Sequence, residues 1–89
     1  MLIMEKYVII YKTINGGIIM AISYKKLWKL LIDRDMKKSE LQELANVSAS
    51  SIAKLGKNEN VNTDILVRIC KALNCELEDI MELTEVEGV

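Results

Sequence analysis

The segment KKSELQELANVSASSIAKLGKN, residues 37–58, decides how this chain folds. Its apolar residues recur at helical spacing in two runs, one around Leu41 and one around Ile52. Asn46 stands between the runs at a point where a left-handed backbone is expected, and asparagine tolerates that conformation better than other non-glycine residues. Ser48 then supplies an N-cap hydroxyl. The segment therefore predicts two short helices joined by a tight turn.

The first of these helices has two candidate starting points. Ser39 followed by Gln42 fits a capping box, whereas Lys37 followed by Glu40 would begin the helix earlier. Both alternatives leave the same apolar face. That face consists of Leu41, Leu44 and Ala45.

Helical patterns also lie on both sides of this segment. Residues 23–36 predict a helix with Ser23 as its N-cap, and residues 62–74 predict another that begins at Asn62 or Thr63. Residues 76–83, ELEDIMEL, predict a last short helix. The expected core from these three helices is Tyr24, Leu27, Trp28, Leu30, Leu31, Met36, Ile65, Leu66, Ile69, Cys70, Leu73, Leu77, Ile80, Met81 and Leu83.

The chain is long enough for one domain, at 89 residues. It contains no proline, so the usual helix breaker is missing from every predicted helix. We predict an all-α fold of five short helices over residues 23–83. An extension over residues 1–22 precedes this domain, and a frayed tail over residues 84–89 follows it.

Residues 1–22 differ in character from the rest of the chain. They are rich in β-branched and aromatic residues, and Asn15-Gly16 followed by GIIMAI predicts a β-hairpin. A second interpretation starts from the gene, because two glycine codons read GGNGGN and can contain a purine run that recruits a bacterial ribosome. Met20 follows closely, so residues 1–19 would then be a translated leader. N-terminal sequencing of the protein from its own cell distinguishes the two.

Charge is distributed unevenly along the chain. The formal net charge is −1, yet residues 23–38 carry six basic and two acidic side chains. Residues 61–89 carry seven acidic and two basic side chains. The chain therefore has a basic part and an acidic part, which is more informative about binding partners than the total charge.

Several classes of protein are disfavoured by what the sequence lacks. Glu5, Lys6 and Lys12 interrupt the N-terminal apolar run, and no small-residue cleavage site follows it, so neither a secretory signal nor a membrane span is predicted. We expect a cytoplasmic protein in which Cys70 and Cys75 are reduced core thiols. Without histidine, two thiolates cannot complete a zinc site, and we predict no metal or cofactor. No nucleophile stands beside a candidate base, so an enzyme is not expected.

Residues 37–57 resemble the helix-turn-helix of the lambda-repressor-like family, of the Cro/cI type. The matching features are Leu41 on the first helix, Asn46 where the family usually has glycine, and Val47-Ser48 at the entry to the second helix. The resemblance continues through VNTDILVRICKALNCELEDIMEL and covers about residues 23–83. It implies a five-helix DNA-binding domain in a small bacterial or phage transcriptional regulator. It also implies double-stranded DNA as the partner, bound by a homodimer, because the family uses paired half-sites. Independently of the resemblance, ordered strands in residues 1–19 should have an apolar edge that pairs with another chain and helps to form this dimer.

The resemblance places the second helix, about residues 48–57, in the major groove. Small residues at its start let the backbone approach DNA closely, and free amide groups there favour a phosphate. Ser48 would contact the backbone, whereas Ala49, Ser50 and Lys54 would face the bases. The full set of implied DNA contacts is Lys38, Ser48, Ala49, Ser50, Ser51, Lys54, Lys57 and Asn58.

Two features depart from the family pattern. Lys37 and Lys38 stand where the family commonly has a capping hydroxyl and a glutamine, and Gly56 weakens the last turn of the second helix. The serines can also be read as ordinary capping residues, and the lysines of residues 23–38 as a solvated face. A helix-turn-helix module that binds a protein partner instead of DNA is the alternative function.

Overall fold

Four α-helices and one antiparallel sheet make up residues 18–87, the part of the chain that a computed structural model describes. In chain order the elements are β1 (Ile18–Ser23), α1 (Lys25–Asp33), α2 (Lys38–Ala45), α3 (Ala49–Gly56), α4 (Thr63–Leu73), a 3₁₀ turn (Leu77–Asp79) and β2 (Glu82–Glu87). The predicted hairpin turn at Asn15-Gly16 and the strand expected before it lie outside the described residues, as does most of the proposed leader.

The helices begin and end close to the predicted residues. For α2 the earlier of the two starts is correct, because Glu40 Oε1 accepts a hydrogen bond of 3.0 Å from the Lys37 backbone N–H. Lysine carries no acceptor, so only this half of a capping box forms. The first helix begins slightly later than predicted, and Ser23 Oγ accepts from the Lys25 N–H at 3.2 Å. Asn46 has φ 54° and ψ 52°, which confirms the left-handed end of α2.

The core is a single cluster of residues from all four helices and the chain that follows them. Its buried members are Tyr24, Leu27, Leu31, Leu41, Ala45, Val47, Ile52, Leu55, Leu66, Ile69, Leu73 and Ile80. Burial raises the pKa of the Tyr24 phenol above its ordinary value. Trp28 and Cys70 are half-buried and pack against this cluster. The helical spacing therefore identified most of the core.

Three leucines expected in the core are exposed instead. Leu44 is 60% exposed, Leu77 48% and Leu83 64%. The short helix α2 buries only the narrow stripe formed by Leu41 and Ala45, so Leu44 falls at its edge. The turn residue Val47 enters the core, although it was not among the residues predicted there.

The prediction of an all-α fold with five helices is confirmed only in part: residues 18–87 contain four α-helices and a small sheet, and no fifth α-helix forms over residues 76–83. Only Leu77–Asp79 form a helical turn, of the 3₁₀ type, and β2 (Glu82–Glu87) follows. Residues 84–87, assigned to a frayed tail, belong to this strand. The fold is mostly helical with a small sheet.

Pairing with the other end of the chain explains the strand. β1 and β2 run antiparallel, with Ile22 opposite Leu83 and Ala21 opposite Thr84. Thr84 Oγ1 also donates to the Ala21 carbonyl at 3.3 Å. A strand becomes favourable only when a partner strand satisfies its backbone groups, and this partner lies some 60 residues earlier. Local spacing in residues 76–83 therefore suggested a helix that the tertiary structure replaces.

Candidate nucleic-acid interface

The turn between α2 and α3 is fixed by both backbone and side-chain hydrogen bonds. The Val47 N–H donates to the Gln42 carbonyl at 3.2 Å, which closes the end of α2. Arg68 of α4 reaches across and donates from Nη1 to the Asn46 carbonyl at 2.9 Å. Asp64 holds the same guanidinium at 3.0 Å from Nε. An arginine outside the helix-turn-helix thus contacts the turn between its two helices.

Sequence reasoning missed Arg68 as a contributor to this region. The pair Asp64 and Arg68 stands at helical spacing i, i+4, so its ion pair was visible in the sequence. The hydrogen bond to Asn46 spans 22 positions and depends on how α4 packs against α2. No local pattern reveals such a contact.

Ser48 caps α3 as the sequence predicted. Its backbone is extended, and its Oγ accepts from the Ser51 N–H at 3.1 Å. The hydroxyls of these two serines lie 3.0 Å apart, so Ser51 is tied to the cap. Within residues 18–87, the N–H groups of Ala49 and Ser50 have no hydrogen-bond acceptor. Two amides and the positive end of the helix dipole therefore remain available to an anion.

One face of α3 is exposed and made mostly of small residues. This face, called here the interface stripe, consists of Ala49, Ser50, Ala53, Lys54 and Lys57. The opposite face carries Ile52 and Leu55, which are 8% and 0% exposed. Ala53 was not among the predicted contacts, although the spacing from Ala49 to Ala53 is one helical turn. The structure thus brings three predicted base-facing residues together and adds Ala53 to them.

Lys38 lies at the junction of three helices. Its Nζ stands 4.4 Å from the centroid of the Trp28 ring, a cation–π distance. A Cβ added at Gly56, the last residue of α3, would lie 4.0 Å from the same Nζ. The Lys38 ammonium therefore lies against the Trp28 ring of α1 and beside the end of α3. Trp28, which was expected in the core, uses a face of its ring for this contact.

Asn58 links the loop after α3 to the beginning of α1. Its φ is 56°, and its Oδ1 accepts from the Tyr24 N–H at 2.9 Å. The carbonyl of the predicted contact residue is thus occupied within the fold, while its Nδ2 group can still donate. Lys57, next to it, is exposed.

The basic residues of 23–38 divide between two sides of α1. Lys26 Nζ donates to the Glu78 carbonyl at 3.0 Å and lies 3.9 Å from the Glu82 carboxylate. Lys26 and Trp28 are two residues apart, about 200° around a helix, so they point to opposite sides of α1. The Lys26 side faces residues 76–87, called here the acidic end, which carry six carboxylates and no basic residue. Lys38, on the Trp28 side, stands beside α3.

Residues 18–87 have neither a metal-binding cluster nor a membrane-spanning helix. Across residues 18–87, no cluster of three or more cysteine, aspartate or glutamate side chains is arranged to hold a metal ion. Over the same residues, no helix has the length and apolar character needed to cross a membrane.

Comparisons with known proteins agree with this geometry. The family model described as the Cro/C1-type HTH DNA-binding domain matches residues 26–85. The fold is similar to the crystal structure, in form II, of the transcriptional regulator VanUg, with a TM-score of 0.72. The two sequences are 60% identical, and the similarity covers 75% of this chain and 89% of that chain. Among curated proteins, none matches the chain.

Proposed function

Because the chain belongs to the Cro/C1-type helix-turn-helix DNA-binding family, we propose that it is a transcriptional regulator that recognises a specific sequence of double-stranded DNA. The observation that carries this proposal is the interface stripe, an exposed row of small residues and lysines on a capped helix. A regulator of this kind acts in the cytoplasm, where bacterial or phage DNA is found.

The size of the stripe residues suits the major groove. The groove is about 12 Å wide and admits a helix, and side chains no longer than serine leave the helix backbone close to the base edges. Ala49 or Ala53 packs against a thymine methyl group, and Ser50 reads either a donor or an acceptor. Lys54 is the only long donor of the stripe that lies within α3, because Lys57 follows the end of the helix, and Lys54 binds guanine O6 and N7.

Contacts to the DNA backbone surround this reading surface. The amides of Ala49 and Ser50, with the Ser48 cap, receive one phosphate at the start of α3. Lys57 and the Nδ2 group of Asn58 receive another beyond the end of the helix. Lys38 donates to a phosphate from its position over Trp28, and Ser51 supports the cap through its hydroxyl contact with Ser48.

We infer a homodimer, because helix-turn-helix proteins bind paired half-sites about one helical turn, or 34–36 Å, apart. The described chain offers a two-stranded sheet with open edges, and an open strand edge pairs readily with another chain. Met20 of β1 and Leu83 of β2 are exposed apolar residues on this sheet. The second copy would therefore dock at the sheet, away from the interface stripe.

Titration against DNA tests the proposal. The full chain is titrated against the intergenic DNA upstream of its own gene, and against a random duplex of equal length, at several salt concentrations. We expect tighter binding to the upstream DNA, an affinity that falls steeply with salt, and two copies per site by light scattering. Binding no stronger than that of an acidic control protein would support the protein-interaction alternative, and one copy per site would refute the dimer.

A further inference from the structure

The end of α4 is shaped by a backbone motif that brings together two side chains five residues apart in sequence. Asn74 adopts a left-handed conformation, with φ 51° and ψ 54°. The Cys75 N–H donates to the Cys70 carbonyl at 3.0 Å, and the Asn74 N–H donates to the Lys71 carbonyl at 3.3 Å. These two bonds define a Schellman motif, in which the side chains of its first and last residues are normally in contact. In this chain both of those residues are cysteines.

The two thiols are neighbours and accessible to small molecules. Cys70 and Cys75 are both free, and the closed turn places their residues side by side at the end of α4. Both are half-buried, and both line one shallow surface cavity together with Val67 and Leu77. A disulfide needs two cysteines whose Cα atoms are close neighbours, about 4.4–6.8 Å apart. The 3.0 Å backbone bond from the Cys75 N–H to the Cys70 carbonyl draws these two residues together without unfolding α4.

We propose that Cys70 and Cys75 are a redox modification site, at which a low-molecular-weight disulfide oxidises the pair to an intramolecular disulfide. The Cys75 thiolate attacks one sulfur of the small disulfide, forms a mixed disulfide and releases one small thiolate. The Cys70 thiolate then attacks the Cys75 sulfur and displaces the second small thiolate. Both protein protons are lost to solvent or to the released thiolates, and two electrons pass to the oxidant. This inference is independent of the proposed DNA binding.

The surroundings decide which thiol reacts first and how fast. Burial, with the carboxylates of Glu76 and Asp79, raises the pKa of the Cys70 thiol to about 11. Burial also raises the pKa of Cys75, and so do the carboxylates of Asp79 and Glu76, whereas the Arg34 guanidinium of α1 acts in the opposite direction. Arg34 lines a second surface cavity with Cys75 that does not include Cys70, so the cation favours the Cys75 thiolate. Cys75 is therefore the attacking thiol. Because the thiolate is the reactive form, oxidation should accelerate about tenfold for each pH unit between pH 7 and 9.

Oxidation with glutathione disulfide tests the proposal on the full chain. We expect loss of both thiols, a mass about 2 Da lower and a peptide that joins Cys70 to Cys75, all reversed by dithiothreitol. The Cys70→Ser variant should instead stop at a stable glutathione adduct on Cys75, because no second thiol resolves it. A persistent adduct on the wild-type chain, or a disulfide between two chains, would overturn the inference.

A comparison with the unfolded chain shows how much the fold favours formation of the disulfide between Cys70 and Cys75. Equilibration in mixtures of reduced and oxidised glutathione gives the effective concentration of the thiol pair. The native protein should exceed the urea-unfolded chain by about tenfold or more, because the Schellman motif holds the thiols together. Equal values would show that the cysteines pair only through their closeness in sequence.

Discussion

The interface stripe and the acidic end use their surface residues in opposite ways. On α3 the exposed positions are small or cationic, and the apolar residues Ile52 and Leu55 are buried. In the acidic end the carboxylates surround Leu77 and Leu83, which are 48% and 64% exposed. A polyanion is attracted to the first surface and repelled by the second, whereas exposed leucines suit a protein partner. The uneven distribution of charge therefore favours an orientation in which the interface stripe faces a polyanion and the acidic end faces away from it. This holds although the net charge of the chain is only −1.

A glutamate can be introduced into each of the two surfaces in turn. It should weaken DNA binding in the interface stripe but not in the acidic end. Ala53→Glu introduces a negative charge and a longer side chain in the middle of the interface stripe. Because like charges brought into contact cost several kcal/mol, we expect affinity for operator DNA to fall by about a hundredfold or more. Fluorescence anisotropy with a labelled duplex measures the change.

Leu77→Glu is the matched control for this substitution. It adds the same group to the acidic end, where binding to a single half-site should change by less than about twofold. Far-UV circular dichroism and a urea titration establish that both variants remain folded. Similar losses of affinity in the two variants would show that the interface stripe is not the DNA-binding surface.

Two lysines near α3 should separate base reading from backbone contact. Lys54→Ala removes the long donor that the interface stripe carries within α3, and a base contact of this kind is worth about 1–3 kcal/mol of discrimination. Operator binding should therefore weaken far more than binding to random duplex. Lys38→Ala should weaken both duplexes alike and reduce the salt slope by about one, because Lys38 reaches only a phosphate.

Competition titrations at several salt concentrations measure both effects. Lys29→Ala is a suitable control, since this exposed lysine lines a cavity with Glu78 and Asp79 of the acidic end. Uniform losses on both duplexes from both variants would mean that α3 does not read the sequence.

The helix-turn-helix could be predicted from sequence because each of its determinants is local. The left-handed Asn46, the Ser48 cap and the buried Ile52 each follow from a residue type and its immediate neighbours. The acidic end could not be predicted in this way. Its strand depends on pairing between Ile22 and Leu83, and local spacing alone cannot reveal a partner at the other end of the chain.

Within the candidate nucleic-acid interface, too, local spacing predicts some features and not others. Helical periodicity places Lys54 on the same face as Ser50, and it places Ala53 there as well. The position of Ala53 in the interface stripe could therefore have been predicted from the sequence. In contrast, Asn58 Oδ1 accepts a hydrogen bond from the Tyr24 N–H across 34 positions, and Arg68 Nη1 donates one to the Asn46 carbonyl. Such long-range hydrogen bonds emerge only from the packed structure.

Arg68→Ala should weaken the link between α4 and the helix-turn-helix. It removes a hydrogen bond to Asn46 and an exposed ion pair with Asp64. We expect the free energy of unfolding to fall by about 1 kcal/mol, because a single hydrogen bond of this kind contributes about that much. Urea denaturation measures it.

Lys71→Ala is the control for this prediction, since Lys71 is an exposed cation on the same helix. It should change the free energy of unfolding by less than about 0.5 kcal/mol. If the two variants were equally stable, the contact between Arg68 and Asn46 would contribute nothing measurable to the free energy of unfolding.

The smallest expected effect concerns Gly56, at the end of α3. The residue is helical, and a Cβ there would meet only Lys38 Nζ, at an ordinary contact distance of 4.0 Å. Gly56→Ala should therefore raise the free energy of unfolding by about 0.4–1 kcal/mol, because alanine loses less backbone entropy on folding. The reciprocal variant Ala53→Gly, on the same helix, should lower it by a similar amount. Urea midpoints measure both changes, and a loss of stability in Gly56→Ala would show that Lys38 and Trp28 need the space which glycine leaves. Since Gly56 lies outside the interface stripe, operator affinity should stay within about twofold of the parent protein.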